Sequence, residues 1–412
     1  MEITPYLQYN PKYILEKVDD SDREINYIHL QNVEIVGRNN LYPNCLLWSS
    51  DTNKLVSPYD EKVMSLNKES FYDGTYDMSK YNLKSPSTYT IPVYFFIYNF
   101  DNYYHFIYDT LPYLCSYFKL KQTIPNLKLL VSYPNTTRQS FYKFNEDIFD
   151  IFNIQADILL HTDATNYSSI YIANSLTHGG MSNKPPRKEV YELFNNLIIP
   201  QSIKSLPKKI YISRRTWIHN DKTNLGTDYT QRRKLMNEDL LVEKLVENGF
   251  EEVFCENLSM IEKIQLFKQA EEIVGAIGGG MCNLLFSPSS TKVTCIVSPY
   301  FLDINNRFRF SMDHTSIQYI FDTKVHTLDS RLPMYVRVKI TDSENKDYNK
   351  IGEIIDIQLD DLNSYLIQLS NNDVAGFNNS IDFQKIYFNK NQFVLLDNGL
   401  NSPYTVDISK II

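Results

Sequence analysis

The sequence predicts an α/β protein followed by a small all-β module, and three observations carry that prediction. Short apolar runs alternate with helical periods between about residues 127 and 330. One of those runs leads straight into a string of glycines, Gly278, Gly279 and Gly280. Beyond about residue 333 the helical period disappears, and only β-type runs separated by Asn, Asp and Gly remain. Alternating strands and helices favour a parallel layer, whereas consecutive short strands favour a small barrel.

Residues 1 to about 90 are short apolar runs broken by Asn, Asp, Pro and Ser, and read as strands and turns. A helical stretch covers about 103–120, and Pro112 within it should kink or split it. Strands are expected at 127–133, 156–161 and 168–174, with a helix near 139–152 and another over 190–198. Residues 200–207 read as a linker. The second run begins with a strand at 208–214. A helix follows over 236–250, with Asn237 as N-cap and Gly249 as its stop. A strand at 251–256 precedes a helix whose Ser259 and Glu262 form a capping box. Strands at 272–276 and 291–299 flank the glycine turn, completing a nucleotide-binding-like half of a doubly wound sheet. The expected domains are 1–200, 205–330 and an SH3-like module over 333–412.

The chain has 412 residues, 43% hydrophobic and 22% charged, a balance that excludes a disordered or collagen-like protein. A net charge of -8 argues against a nucleic-acid partner bound through a broad basic face, so any phosphate recognition must be local. The five cysteines form no C-x-x-C, which removes zinc-ribbon and dithiol redox chemistry and points to a reducing compartment. No signal-peptide pattern opens the chain, and no apolar run approaches the roughly 18 residues of a membrane span. A soluble, cytoplasmic protein is the expectation. There is no G-x-S-x-G, H-E-x-x-H or EF-hand loop. The D-x-D at Asp20 and Asp22 sits in a charged turn instead of at a strand end, so no metal site is assigned.

Three segments can carry chemistry. Bare amides at Gly278, Gly279 and Gly280, with Asn283 behind them, suit a diphosphate, or they form a tight strand-to-helix turn with no ligand. Arg214 and Arg215 end a strand, and Arg232 and Arg233 precede a helix. They present phosphate-matching forks at the ligand crevice, or they are a solvated loop paired with Glu238 and Asp239. His105 and Asp109, spaced i, i+4, share a helix face as an acid–base pair or as a structural one. His178 with its two following glycines reads as a loop with at most a minor ligand role. The aromatic residues around 94–108 either stack on sugars or fill the core.

In this order the segments resemble glycosyltransferase family 61. A block like N-Y-Y-H-W-x-x-D-x-L-P is matched by Asn102, Tyr103, Tyr104, His105, Asp109, Leu111 and Pro112. A strand ending in S-R is matched by Ser213 and Arg214, and R-x-x-x-N-E by Arg233, Asn237 and Glu238. The helix of 258–270 follows, and V-G-x-H-G-A-G-L-x-N-x-x-F is matched by Val274, Gly275, Gly278, Gly280, Asn283 and Phe286. The resemblance covers about residues 90–325. This chain departs from the pattern at Ile277, where the family has His, at Gly279, where it has Ala, and near Cys295, where it often has Glu.

The resemblance implies a GT-B-like enzyme of two Rossmann-type domains, inverting and with no obligate metal or other cofactor. It would move a sugar from a nucleotide sugar, most often UDP-linked, to a hydroxyl of a glycan or glycoconjugate acceptor. Arg214, Arg215, Arg233, Asn237, Glu238, the three glycines and Asn283 would serve the donor, and Asp109, with His105 as its partner or substitute, would be the base that takes the proton of the acceptor hydroxyl. The alternative is a relative that binds glycan or nucleotide and has lost catalysis. Lacking a membrane anchor, the enzyme is expected in the cytoplasm of a bacterium or of the host of a large virus. The glycosylation sequons at Asn135, Asn166, Asn257 and Asn378 are then chance matches in an Asn-rich chain.

Overall fold

The computed structural model describes residues 25–36, 46–49, 54–57, 62–64, 87–134, 138–162, 165–177, 186–200, 205–215, 233–299, 316–325, 337–357, 364–369, 384–395 and 401–412. The turn at Asp20 and Asp22, His178 with its glycines, and Arg232 lie outside these residues.

The first sheet joins two styles of strand. β1 (Tyr27–Val36), β2 (Leu46–Ser49), β3 (Lys54–Ser57) and β4 (Lys62–Met64) form an antiparallel meander. β5 (Ser87–Tyr89), β6 (Val93–Phe95), β7 (Lys128–Val131), β8 (Ile158–Leu160) and β9 (Thr165–Ala173) pair in parallel, and β9 also pairs antiparallel with β1. The resulting order is β4-β3-β2-β1-β9-β6-β7-β8, with β5 off the path beside β9. α1 (Tyr113–Lys121) and α2 (Lys143–Ile151) make the crossovers, and α3 (Lys188–Asn195) closes the unit. Pro112 does divide the expected 103–120 helix. A π-helical turn, His105–Thr110, lies before it, and Pro112 takes the N-cap position of α1.

The second sheet is wholly parallel: β10 (Lys209–Ile212), β11 (Glu251–Val253), β12 (Glu272–Ala276), β13 (Lys292–Ile296) and β14 (Ser316–Ile320). Its order is β11-β10-β12-β13-β14, so the chain reverses direction across the sheet between β10 and β12. α4 (Glu238–Glu247) and α5 (Met260–Gln269) connect its first strands. Gly249, at φ +84, supplies the left-handed residue that ends α4. Ser259 accepts from Glu262 N–H, and the Glu262 carboxylate accepts from Ser259 N–H at 2.8 Å, the expected capping box. Successive side chains of β10 go to opposite faces: Ile210 and Ile212 enter the large core, while Tyr211 enters a second one with Leu241, Val274 and Ile296.

The large core is continuous between the two sheets. Phe194 of α3 meets Phe286 edge-on, and Asp147 of α2 accepts from Met260 N–H at 3.1 Å, at the start of α5. The C-terminal module has its own core, around Val338, Ile354, Ile367 and Phe388. It is the antiparallel sheet of β16 (Arg337–Ile340), β17 (Ile351–Ile357), β18 (Ser364–Leu369), β19 (Gln384–Asn389) and β20 (Phe393–Leu395), in the order β19-β18-β17-β16-β20. The strands on either side of it, β15 (Thr323–Val325) and β21 (Tyr404–Val406), pair with each other. Residues after β20 therefore do not stay with the module: Tyr404 and Val406 lie in the second core of the α/β unit. Among the described residues no helix is long and apolar enough to cross a membrane.

Lys263 of α5 is buried where the two sheets meet, with its Nζ 4.3 Å from the centre of the Tyr103 ring. Burial pulls its ammonium below the usual lysine range; Cys255, Cys282, Asp147 and Glu256 oppose that shift. The folded protein therefore holds fewer protons than the unfolded chain between the lowered value and about 10.4. The Lys263 contribution to stability should rise with pH across that window, by at most about 1.4 kcal/mol per pH unit. Burial holds the thiols of Cys115, Cys255, Cys282 and Cys295 above the usual range, and they act the other way above about pH 8.5. The lysine's part is therefore read by urea unfolding at pH 6 and pH 8, where the difference between wild type and Lys263→Met should shift in favour of wild type as pH rises.

Candidate active site

In an open parallel sheet the crevice for a ligand opens beyond the carboxyl ends of the strands, where the strand order reverses. Here that point lies between β10 and β12. β10 runs out through Ser213 into Arg214, and β12 runs out through Ile277 into Gly278. The two exits touch: Arg214 Nη1 donates to the Ile277 carbonyl at 3.1 Å. Gly278 is extended, so its φ would suit any residue. What requires glycine is space, because a Cβ there would fall on Arg214 Nη1.

Glu238 holds the exit of β10. It opens α4, where a carboxylate is favoured by the helix dipole. One carboxylate oxygen, Oε1, accepts from Arg214 N–H at 2.7 Å, Tyr211 OH at 2.8 Å and Ser213 OH at 3.3 Å. Burial pushes this carboxyl above the usual range, against the pull of those donors and of Arg214. Glu238 thus positions the strand exit from beneath.

The expected arginines divide. Arg214 lies along the glycine turn. Arg215 turns away along β11 and α4: its guanidinium bonds the Glu252 carboxylate twice, at 2.9 and 2.5 Å, and Asp239 at 2.7 Å. Arg233 has φ +52, a left-handed backbone that costs a non-glycine residue about 1–2 kcal/mol. It is fixed there by Asn401, whose carbonyl accepts Arg233 N–H at 2.9 Å and whose Oδ1 accepts from Nη1 at 2.9 Å. Asn237 occupies the expected N-cap position of α4, but its amide serves another strand. It donates to Val406 O at 2.8 Å and accepts Val406 N–H at 3.1 Å.

The other wall of the crevice is the π-helical turn. Leu111 N–H donates five residues back, to Phe106 O, at 2.9 Å. Such widened turns recur at functional sites, and this one keeps i and i+4 close on one face. His105 Nδ1 and Asp109 Oδ2 are 2.6 Å apart, with 22% and 15% of their side chains exposed. Asn102 Oδ1 accepts His105 N–H at 3.2 Å. The aromatic residues behind the turn, Tyr94 to Tyr98 and Phe106, are core and not a sugar platform.

A clasp joins the two walls. Tyr103 OH donates to Asn283 Oδ1 at 2.5 Å, and Asn283 Nδ2 donates to Gly280 O at 2.8 Å. Asn283 is fully buried, so its polar atoms hold the glycine turn to the π-helical turn. Gly279 faces the same wall: a methyl added there would find Tyr104 Cβ at 4.0 Å, an ordinary contact. Ile277 and Cys295, the other two departures from the pattern, are buried and apolar in role.

Tyr103, one of the aromatic residues expected to stack on sugars or fill the core, instead serves the clasp through its hydroxyl. Asn401 and Tyr404 are not foreseen from the sequence. No local signal marks them, because Asn401 meets Arg233 across 168 positions. The glycine turn is tested by a pair of variants. Gly278→Ala must displace the Arg214 side chain, so stability should fall by no more than about 1 kcal/mol while nucleotide binding drops as in Arg214→Ala. Gly279→Ala should leave both near wild type; denaturant titration and calorimetry with UDP measure the two effects.

The Glycosyltransferase 61 family model matches residues 103–294. No curated protein matches the chain significantly. The matched segment contains the His105–Asp109 pair, Arg214, Arg215, Arg233, Asn237, Glu238 and the clasped glycine turn. Over that segment the chain is similar to glycosyltransferase family 61.

Proposed function

We propose that the protein is an inverting glycosyltransferase of GT-B-like layout, taking a sugar from a UDP-linked nucleotide sugar to a hydroxyl of a glycan or glycoconjugate acceptor. The observation that carries this reading is the clasp between Tyr103 and Asn283, which fixes a candidate base opposite a glycine turn backed by an arginine. The donor's diphosphate would lie at the exits of β10 and β12. Arg214, Arg233 and the amides of Gly279 and Gly280 would meet the charge that grows on the leaving oxygen. This route asks for no resident metal. Asn237, Glu238 and Asn283 would act by holding these groups in place, and Arg215 by bracing β10 against β11 and α4.

In the acceptor half, Asp109 engages Nδ1 of His105, so proton uptake by the ring falls to Nε2. The acceptor oxygen attacks the anomeric carbon as its proton passes to the imidazole, and Asp109 stabilises the imidazolium. The bond from the anomeric carbon to the diphosphate oxygen breaks on the opposite face, and the nucleoside diphosphate leaves with that electron pair. A single displacement inverts the anomeric centre. The first sheet would present the acceptor, and the C-terminal module, read as SH3-like, lies outside this chemistry. A cytoplasmic setting completes the proposal.

Incubation with a panel of nucleotide sugars and mixed glycan acceptors, read by nucleotide release, tests it. His105→Ala and Asp109→Asn should each lower turnover about 100- to 10,000-fold with donor binding retained. Arg214→Ala should weaken donor binding itself. Tight nucleotide binding with no turnover of any donor would instead favour a binding relative without catalysis, a reading that the apolar Ile277 and Cys295 support.

A further inference from the structure

The end of the chain is built into the donor wall. β15 and β21 pair antiparallel, Thr323 with Val406 and Val325 with Tyr404, so the chain enters and leaves the β module at one place. From there residues 401–406 run along residues 233–237. Asn401 accepts the Arg233 N–H and one of its guanidinium hydrogens. Tyr404 N–H donates to Lys234 O at 2.9 Å, and Tyr404 O accepts Met236 N–H at 2.7 Å. Val406 exchanges two hydrogen bonds with the Asn237 side chain. Residues 233–237, which lead into α4, are thus held by a segment more than 160 residues away in sequence.

Two features go beyond what packing requires. Arg233 sits in the left-handed region, and such a residue persists only where its surroundings over-determine it. Asn401 does so twice, fixing both the main chain and the direction of the guanidinium. Tyr404 is fully buried, and its hydroxyl lies within electrostatic reach of Arg214, Glu238 and Arg233. Neither that hydroxyl nor Glu238 Oε2 makes a hydrogen bond among the described residues. A strand that served only to cover the sheet would gain from a phenylalanine here and would have no reason to aim an arginine.

We propose that residues 401–406 are a positioning strap for the donor site: Asn401 sets the Arg233 guanidinium, while the Tyr404 main chain and Val406 hold residues 234–237 beside it. The cationic wall offered to a nucleoside diphosphate is then completed by the end of the chain and not by the matched family segment alone. This inference rests on the donor-site reading above.

Calorimetry on the full chain with UDP, GDP and ADP, together with steady-state kinetics on the donor that turns over, tests it. Asn401→Ala should weaken the tightest-binding nucleotide about tenfold, as expected for loss of a hydrogen bond to a charged group. It should raise KM for the donor with kcat and KM for the acceptor little changed. Asn401→Asp keeps an acceptor oxygen but sets a carboxylate beside the guanidinium, so it should keep the fold and weaken the nucleotide at least as much as the alanine variant. Adding Asn401→Ala to Arg233→Ala should cost nothing further. Thermal melts control for folding, and Asn401→Ser replaces the alanine variant if that one does not fold. If Arg233→Ala weakens the nucleotide and Asn401→Ala does not, the strap is refuted while the donor site stands. If Arg233→Ala has no effect, or none of the nucleotides binds, the donor-site reading fails and takes the strap with it.

Discussion

A hydrogen bond from the half-buried Tyr103 to the buried Asn283 ties the half of the molecule that carries the His105–Asp109 pair to the half that carries the glycine turn. Asn283 is withdrawn from water, so breaking the bond leaves its amide oxygen without a donor, a cost of about 1–3 kcal/mol, more than the bond itself contributes. Asn283 passes the constraint on to the Gly280 carbonyl. The distance between the His105–Asp109 pair and the exits of β10 and β12 is therefore set inside the continuous core and does not depend on surface loops. A site built in this way suits a reaction that needs a base and a leaving group held on opposite faces of one carbon.

Charge is handled with similar economy. The protein is acidic overall, yet the switch point carries a local excess of guanidinium groups. Each arginine is given a separate task by the carboxylates and amides around it. Arg215 is neutralised by Glu252 and Asp239 and becomes a brace. The Arg214 guanidinium donates to the Ile277 carbonyl, and Glu238 takes the Arg214 main-chain amide. Arg233 is directed by the neutral amide of Asn401. Amide and carbonyl partners direct a guanidinium without cancelling its charge.

The module of β16 to β20 hangs from the second α/β unit by two adjacent strands, so its insertion leaves the order of the main sheet undisturbed. The chain's return through β21 brings residues 401–406 back alongside residues 233–237 of the second α/β unit. The entropic cost of closing a long loop grows slowly with its length, and the core contacts of Tyr404 and Val406 offset it.

The sequence alone determined the parts that depend on near neighbours. Apolar periodicity located β10 to β13, α4 and α5 of the second α/β unit but not β14, the Ser259–Glu262 box set the start of α5, Gly249 ended α4, and Pro112 divided the helix expected over 103–120. The spacing of His105 and Asp109 foretold their contact, because i and i+4 meet on any helical turn. Tertiary structure alone decided how the shared residue types were used. Four residues read as donor contacts, Arg215, Asn237, Glu238 and Asn283, direct their polar groups to Glu252, Val406, the exit of β10 and Tyr103. The partners of Asn237 and Asn283 lie 169 and 180 positions away, and those of Arg215 and Glu238 lie across a strand–helix crossover. A motif states which side chain stands at a strand end. Which hydrogen bond that side chain makes depends on what the fold brings opposite it, and for Arg233 that is the last turn of the chain.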